Sequence, residues 1–192
     1  MIEDQIKLSM HEIEAGLAHI LQSPRNEGRL EMIVRRPAEN EREVLEEGQL
    51  DMNQGLIGDN WMARGKGRVP DKASEAPDPE TQIDIMNARV IALLARDRNR
   101  WQLAGDQLFI DLDLSDENLP PGSRIAIGEA ILEVSRLPHT GCDKFSARFG
   151  SDAIRFVNSP EGRKLHLRGI NTRVVKGGRI QVGDVVKKIL DG

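Results

Sequence analysis

The chain has 192 residues, of which 39% are apolar, 30% charged and 3% aromatic. That length and balance suit a single globular domain with a substantial core and exclude a disordered chain. A formal net charge of −4 and the absence of tyrosine weigh against a nucleic-acid platform, which needs a positive face or exposed rings.

The opening stretch, MIEDQIKLSM, begins with acids and lacks the basic-then-apolar order of a secretory signal. Ile6, Met10, Ile13, Leu17 and Ile20 recur at spacings of four and three, which predicts one amphipathic helix over residues 3–22, stopped near Ser23-Pro24. GRLEMIVRRP then reads as a strand with Leu30, Met32 and Val34 on one face. The polar, glycine-rich stretch from Gly48 to Pro79 reads as a long surface excursion.

QIDIM predicts a short strand, and NARVIALLAR a helix through Val90, Leu93 and Leu94. VIALLA is also the longest unbroken apolar run, far short of the roughly 20 residues that cross a bilayer, so no membrane association is expected. QLFIDLDLS alternates, with Leu108, Ile110, Leu112 and Leu114 on one face and Phe109 interrupting the polar one. GSRIAIGEAILEVSR predicts a hairpin about Gly128-Glu129, and INTRVVKGGRIQVGDVVKKI three further β segments. Short strands at close intervals predict a mainly β fold, an antiparallel barrel with inserted helices and an N-terminal helix. No internal repeat, GxGxxG or GxxxxGK[ST] loop occurs, so the common nucleotide cradles are absent.

Cys142, in PHTGCDKFSARFG, is the one cysteine. It can form no internal disulfide, which suits a reducing compartment, and the cytoplasm is the expected location. Phe145, Phe149, Ala153 and Phe156 fall on one helical face beyond it, and Thr140 and Asp143 have capping-box spacing. Thr140 is therefore the expected N-cap, with Cys142 in the first turn. A sulfur there faces unpaired backbone amides and the positive helix end, and Arg136, His139 and Lys144 add nearby charge, which favours the thiolate. A lone cysteine is more often a packing residue, so the alternatives are a reactive thiol and a buried one.

Charge points the same way. Between Arg136 and Arg179 ten basic residues meet three acids, so that stretch carries +7 and the remainder −11. Such concentration suggests an anion partner, although a solvated basic face is the commoner outcome. The remaining histidines are weaker candidates. His11 and His19 lie in the first helix without partners at ligand spacing, and His166, in RKLHLRG, reads as part of an alternating basic strand. No zinc spacing, calcium loop or serine-nucleophile motif is present.

LPPGSRIAIGEAILEVSRLPHTGCDKF followed by LRGINTRVVKGGRIQVGDVV resembles the MOSC domain, the molybdenum cofactor sulfurase C-terminal domain family, from about residue 28 to the end. The resemblance implies a stand-alone MOSC-type β-barrel over 28–192, with residues 1–27 as a helical lead-in to a single domain. It also places Cys142 at the family's cysteine position, where a persulfide or a contact to a metal–sulfur centre is proposed. The expected ligand is the molybdenum cofactor, which bears a phosphate. Pyridoxal phosphate belongs to the family only through the desulfurase domain of its larger relatives. The motif before the central strand departs from some relatives, reading AGDQL where they have glycine-glutamate-asparagine.

Three functions remain open. In the first, the protein binds molybdenum cofactor or carries sulfur, with a sulfurtransferase-like or cofactor-dependent activity. Cys142 would act as nucleophile, sulfur carrier or metal ligand, and His139 would tune it or shuttle a proton. Arg136, Lys144, Arg148, Arg168 and Arg173 would hold the anionic cofactor, while Thr140, Gly141 and Asn171 would supply hydrogen bonds. A desulfurase or a molybdoenzyme would act in trans. In the second, the chain is a non-enzymatic polyanion-binding module. In the third, it is the molybdenum-dependent component of a reductase for N-hydroxylated compounds.

Overall fold

The computed structural model describes residues 7–64 and 77–190. In chain order it has helices α1 (Met10–Ala15) and α2 (Leu17–Ile20), then strands β1 (Glu27–Arg35), β2 (Glu43–Leu45), β3 (Glu47–Asp51) and β4 (Gly55–Leu56). Helix α3 (Trp61–Arg64), strand β5 (Ile83–Asn87), helix α4 (Ala88–Ala95) and strand β6 (Leu108–Asp111) follow, with 3-10 segments at Pro79–Thr81 and Arg98–Ala104. Next come the β7 (Arg124–Ile127) and β8 (Ala130–Val134) hairpin, then helices α5 (Asp143–Phe149), α6 (Ser151–Val157) and α7 (Pro160–Lys164). Strands β9 (Ile170–Lys176), β10 (Gly178–Gln181) and β11 (Val185–Ile189) complete the described fold.

The strands close into a barrel. The sheet runs β11-β7-β8-β9-β5-β6-β1, and β1 pairs back onto β11, while β2 extends the sheet outside the closure. Seven strands thus form a closed ring, which leaves no long open edge among them. All neighbouring pairs in it are antiparallel except β5–β6, which are parallel. The barrel is therefore mixed, and the wholly antiparallel expectation is corrected. The cause is α4 with the 3-10 segment Arg98–Ala104, a crossover long enough to return the chain in the same direction. A smaller sheet, β10-β3-β4, lies beside it.

Alternation along the strands sorts apolar residues into two cores. Leu108, Ile110, Leu112 and Leu114 join Ile83, Ile85, Ile125, Leu132 and Val174 in the barrel core. Phe109, on the opposite face of β6, joins Val90, Leu94, Phe145, Phe149 and Phe156 beneath the helices. Phe109 is thus no misplaced apolar residue on a polar face, because that face is covered by a second core.

Several local expectations change. Leu30 lies in the barrel core, whereas Met32 and Val34 lie in the helical one. A register shift between Leu30 and Met32 inserts an extra residue and reverses the facing of the rest of the strand. The first helix starts at Met10, where Ser9 and Glu12 form a reciprocal capping box, and it breaks at Gly16. Ile6 lies outside the described residues. The phenylalanine stripe belongs to two helices, parted at Gly150, whose φ of 100° suits glycine. The stretch from Gly48 to Pro79 holds most of β3, all of β4 and α3, and its residues 65–76 lie outside the described part. His166 sits in a turn at φ 48°, not a strand, with Nδ1 2.7 Å from the Leu114 carbonyl oxygen and Nε2 3.1 Å from Asp116 Oδ1.

Barrel closure depends on a close approach at Gly28, which pairs with Val186 of β11. A Cβ at Gly28 would lie 1.9 Å from the Asp111 carbonyl oxygen. That atom belongs to the backbone of β6 and has little room to give. Gly28→Ala is expected to destabilise the protein by about 3 kcal/mol, read from the urea midpoint at constant slope.

Candidate functional site

One end of the barrel, where β5, β6 and β9 begin and β1 and β8 finish, opens into a cleft of about 990 Å³. Its floor is built from buried charge. Arg36, just beyond β1, donates from Nε and Nη2 to the two carboxylate oxygens of Asp59, both at 2.9 Å. Its Nη1 donates to Asp84 Oδ2 at 3.2 Å and to the Gly105 carbonyl at 2.8 Å. Arg168 donates from Nη1 to both oxygens of Asp106 at 2.8 Å and from Nη2 to the Ala104 carbonyl at 3.1 Å. Its guanidinium stacks 4.9 Å from the centre of the Phe145 ring. Asp106 is 0% exposed and Arg168 7%, so each needs the other as a counter-charge.

His139 stands over this floor, its side chain 14% exposed. Its Nδ1 is buried with no hydrogen-bond partner and lies 3.5 Å from Asp106 Oδ1, beyond a good hydrogen bond. Burial first, and then the charge of Arg168, lowers the imidazole pKa, against the smaller pull of Asp84 and Asp106. His139 is accordingly neutral at pH 7. Burial alone would raise the Asp84 carboxyl, but His139, Arg36 and Arg168 outweigh it and hold the group below its ordinary value. With His139 uncharged, the two guanidiniums carry that effect at neutral pH.

The walls come from the β1–β2 loop and from the segment leading into α5. Glu39, Asn40 and Arg42 line one side, and Thr140, Cys142, Lys144 and Arg148 the other. Cys142 is exposed, which answers the choice between packed and accessible thiol in favour of access. It occupies the N-cap position of α5, with extended backbone and no side-chain cap bond. Thr140 is not the cap. The reason lies at Gly141, whose N–H donates to Asn158 Oδ1 at 2.9 Å while its carbonyl accepts from Asn158 Nδ2 at 3.2 Å. That clasp fixes the segment before a Thr140 cap can form, and it removes the Gly141 backbone from the donors facing the cleft.

The cleft brings together His139, Thr140, Cys142, Lys144, Arg148, Arg168 and Asn171 of the residues expected from sequence. It leaves out Arg136, Gly141 and Arg173. Arg136 is exposed away from the lining. Arg173 donates from Nε to Glu133 at 3.0 Å and reaches Glu80 at 3.8 Å. Lys144, 65% exposed, pairs with Glu39 at 3.5 Å. Asn171 donates from Nδ2 to the Leu137 carbonyl at 3.0 Å. Nor does the basic stretch form a single face, because Arg155 pairs with Asp152 and Arg179 with Glu47. Arg36, Arg42, Asp59, Asn60, Asp84 and Asp106 were missed as site residues. The available signals were a carboxylate inside the QIDIM strand and the aspartate of AGDQL.

Among the described residues, no cluster of three or more His, Cys, Asp and Glu side chains could hold a metal ion. No helix among them is long and apolar enough to cross a membrane. A metal centre that brings its own remaining ligands is compatible with the one thiol here, whereas a bare ion needing an all-protein cage is not.

The lowered His139 pKa has a consequence for stability. As pH falls through the unfolded value of about 6.5, the unfolded chain takes up a proton before the folded one does, so stability declines. His139→Gln removes that proton uptake. Urea midpoints between pH 7.5 and 5.5 should fall further for wild type than for the variant, and parallel profiles would contradict a buried neutral imidazole.

A sequence model of the MOSC domain matches residues 79–187, more than half of the chain. No curated protein matches. Among solved structures, the fold is similar to the YuaD protein from Bacillus subtilis, with TM-score 0.60 and 18% identity over 84% of this chain and 95% of that one. It is similar also to YiiM from Escherichia coli, with TM-score 0.54 and 19% identity over 85% of this chain and 71% of that one. At such identities these likenesses speak for the barrel alone. The match from β5 into β11, which takes in six of the seven strands of the closed barrel and the segment that carries Cys142, makes this chain a member of the MOSC domain family.

Proposed function

We propose that the cleft receives the phosphate-bearing molybdenum cofactor, and that Cys142 is the thiol that meets its metal or delivers sulfur to it. The family as a whole is linked to molybdenum cofactor binding. The observation that carries the reading for this chain is an exposed thiol on the rim of a polar cleft that has several buried polar atoms without partners. Those atoms are Arg42 Nε, Asn60 Oδ1, His139 Nδ1 and Arg168 Nε, all from lining residues. Native buried polar atoms are nearly always satisfied, so four orphans around one cleft point to a polar guest.

The residues fit such a guest. Arg42, Lys144 and Arg148 offer cationic donors for its phosphate, and Asn60, Thr140 and Asn171 offer neutral hydrogen bonds for its ring system. When bound, the cofactor supplies a redox-active metal whose other ligands are its own. Cys142 supplies one sulfur, and His139 lines the same cleft as an uncharged imidazole. For sulfur carriage the Cys142 thiolate attacks the terminal sulfur of a donor protein's persulfide. The new S–S bond forms at Cys142, the donor's S–S bond breaks, and the donor leaves as a thiolate. No external oxidant is consumed. The donor would be a desulfurase acting in trans.

Incubation with a persulfide-loaded cysteine desulfurase should add about 32 Da to the intact protein, and Cys142→Ser should remove the adduct without altering the urea midpoint. Protein made in a cofactor-producing host should also contain molybdenum by elemental analysis, and the same variant should lower that content at least tenfold. Wild-type protein showing neither the adduct nor molybdenum would overturn the proposal.

A further inference from the structure

We propose that Asn158 is the residue that positions the Cys142 sulfur, by holding α5 to a start that the helix's own sequence disfavours. This deepens the reading of Cys142 as the reacting thiol and rests on it. Asn158 lies outside the cleft lining, so it acts through the backbone and not on a guest.

The start of α5 breaks a local rule. Its N-cap is Cys142, a residue type without a capping oxygen, and no side chain caps the helix there. Two residues upstream stands Thr140, a good cap, with Asp143 at the third position after it, the reciprocal capping-box spacing. Left to these residues, the helix would begin at Gly141 and carry Cys142 in its first turn. Cys142 instead keeps an extended backbone, with φ −119° and ψ 176°. A helix that forgoes its best cap beside the one cysteine of the chain sets local preference against the fold, and such conflicts collect at functional sites.

Asn158 decides the conflict. An earlier start requires the Gly141 carbonyl to turn along the helix axis and accept from the N–H of Phe145, four residues on. That carbonyl accepts from Asn158 Nδ2 at 3.2 Å, while the Gly141 N–H donates to Asn158 Oδ1 at 2.9 Å. One side chain binds both polar groups of a single residue, which pins its orientation as well as its place. The helical ladder then begins one residue later, where the Cys142 carbonyl accepts from the Ser146 N–H at 3.0 Å.

The clasp has a firm base. Gly141 lies close against α6, since a Cβ there would come within 3.1 Å of Ile154 Cγ1 and 3.3 Å of Val157 Cγ2. The Asn158 N–H donates to the Ile154 carbonyl at 3.1 Å, and Val157 before it is buried in the helical core. Ser159 after it caps α7, accepting from the Gly162 N–H at 2.9 Å. Two helices therefore fix the amide that fixes the thiol.

The test is heteronuclear NMR of the full-length protein, read at the Cys142 Cα shift. In wild type that shift should lie on the extended side of its random-coil value. Asn158→Ala removes both bonds, whereas Asn158→Asp keeps an acceptor for the N–H and loses the donor to the carbonyl. In each the shift should cross to the helical side, and adding Thr140→Val should undo the crossing. Sulfur uptake from the persulfide-loaded desulfurase should fall about tenfold in both single variants, because a displaced sulfur no longer meets its donor in line. A merely structural Asn158 would lower the urea midpoint without reversing the shift. The proposal is overturned by a Cys142 shift that stays extended or goes to its coil value in folded Asn158→Asp protein, by a helical shift that survives Thr140→Val, or by wild-type uptake in the variants. Loss of the folded state in both variants overturns it too, because the earlier start would then be no alternative. The shifts are read without any donor, so they are separate from whether Cys142 takes up sulfur or molybdenum.

Discussion

A guanidinium can leave water only in company, and the open end of this barrel is organised around two such departures. Arg36 draws Asp59, Asp84 and the Gly105 carbonyl to itself, while Arg168 draws Asp106 and the Ala104 carbonyl. Those partners come from the α3 approach, the start of β5 and the turn before β6. The pairings of Arg36 with Asp59 and Asp84, and of Arg168 with Asp106, therefore join segments that no strand ladder connects. Removing a single member would strand a buried charge, at a cost of about 3–5 kcal/mol, so the floor is kept whole or lost together.

What stands on that floor inherits its rigidity. His139 is neutral because burial, and after it the charge of Arg168, disfavours a further proton more than Asp84 and Asp106 invite one. The β1–β2 loop is held at its root by Arg36, and the segment before α5 by Asn158. The result is a cleft with two electrical ends: carboxylates outnumber cations below, and incompletely matched cations line the wall. The thiol stands on the rim beside them. In the function proposed above, this arrangement, more than any single residue, is what would receive an anionic guest with a metal or sulfur end.

Much of the barrel was legible in the sequence, because strand alternation is local. Leu108 to Leu114 announced a barrel strand, and the β7–β8 turn announced its hairpin. What escaped was of two kinds. The bulge after Leu30 inserts one residue, and no periodicity reveals an insertion until a partner strand is known. The charged floor is made of pairs far apart in the chain, Arg36 with Asp59 and Asp106 with Arg168, so no spacing rule brings them together. Thr140 and Asp143 failed in a third way. Their spacing was that of a cap, but a side chain from the end of α6 had already claimed the intervening backbone. The concentration of basic residues from Arg136 to Arg179 was real as a count and misleading as a surface, since the fold turns several of them toward carboxylates.

The Asn158 clasp also settles how the sulfur presents itself. With the Gly141 peptide held from both its N–H and its carbonyl, and α5 beginning at Asp143, the main chain on either side of Cys142 has little latitude. A cysteine has one side-chain torsion, and that torsion has three staggered wells. The sulfur can therefore visit only three places, all reached by a single rotation, so an incoming molecule meets an atom confined to a short arc rather than one carried on a wandering loop.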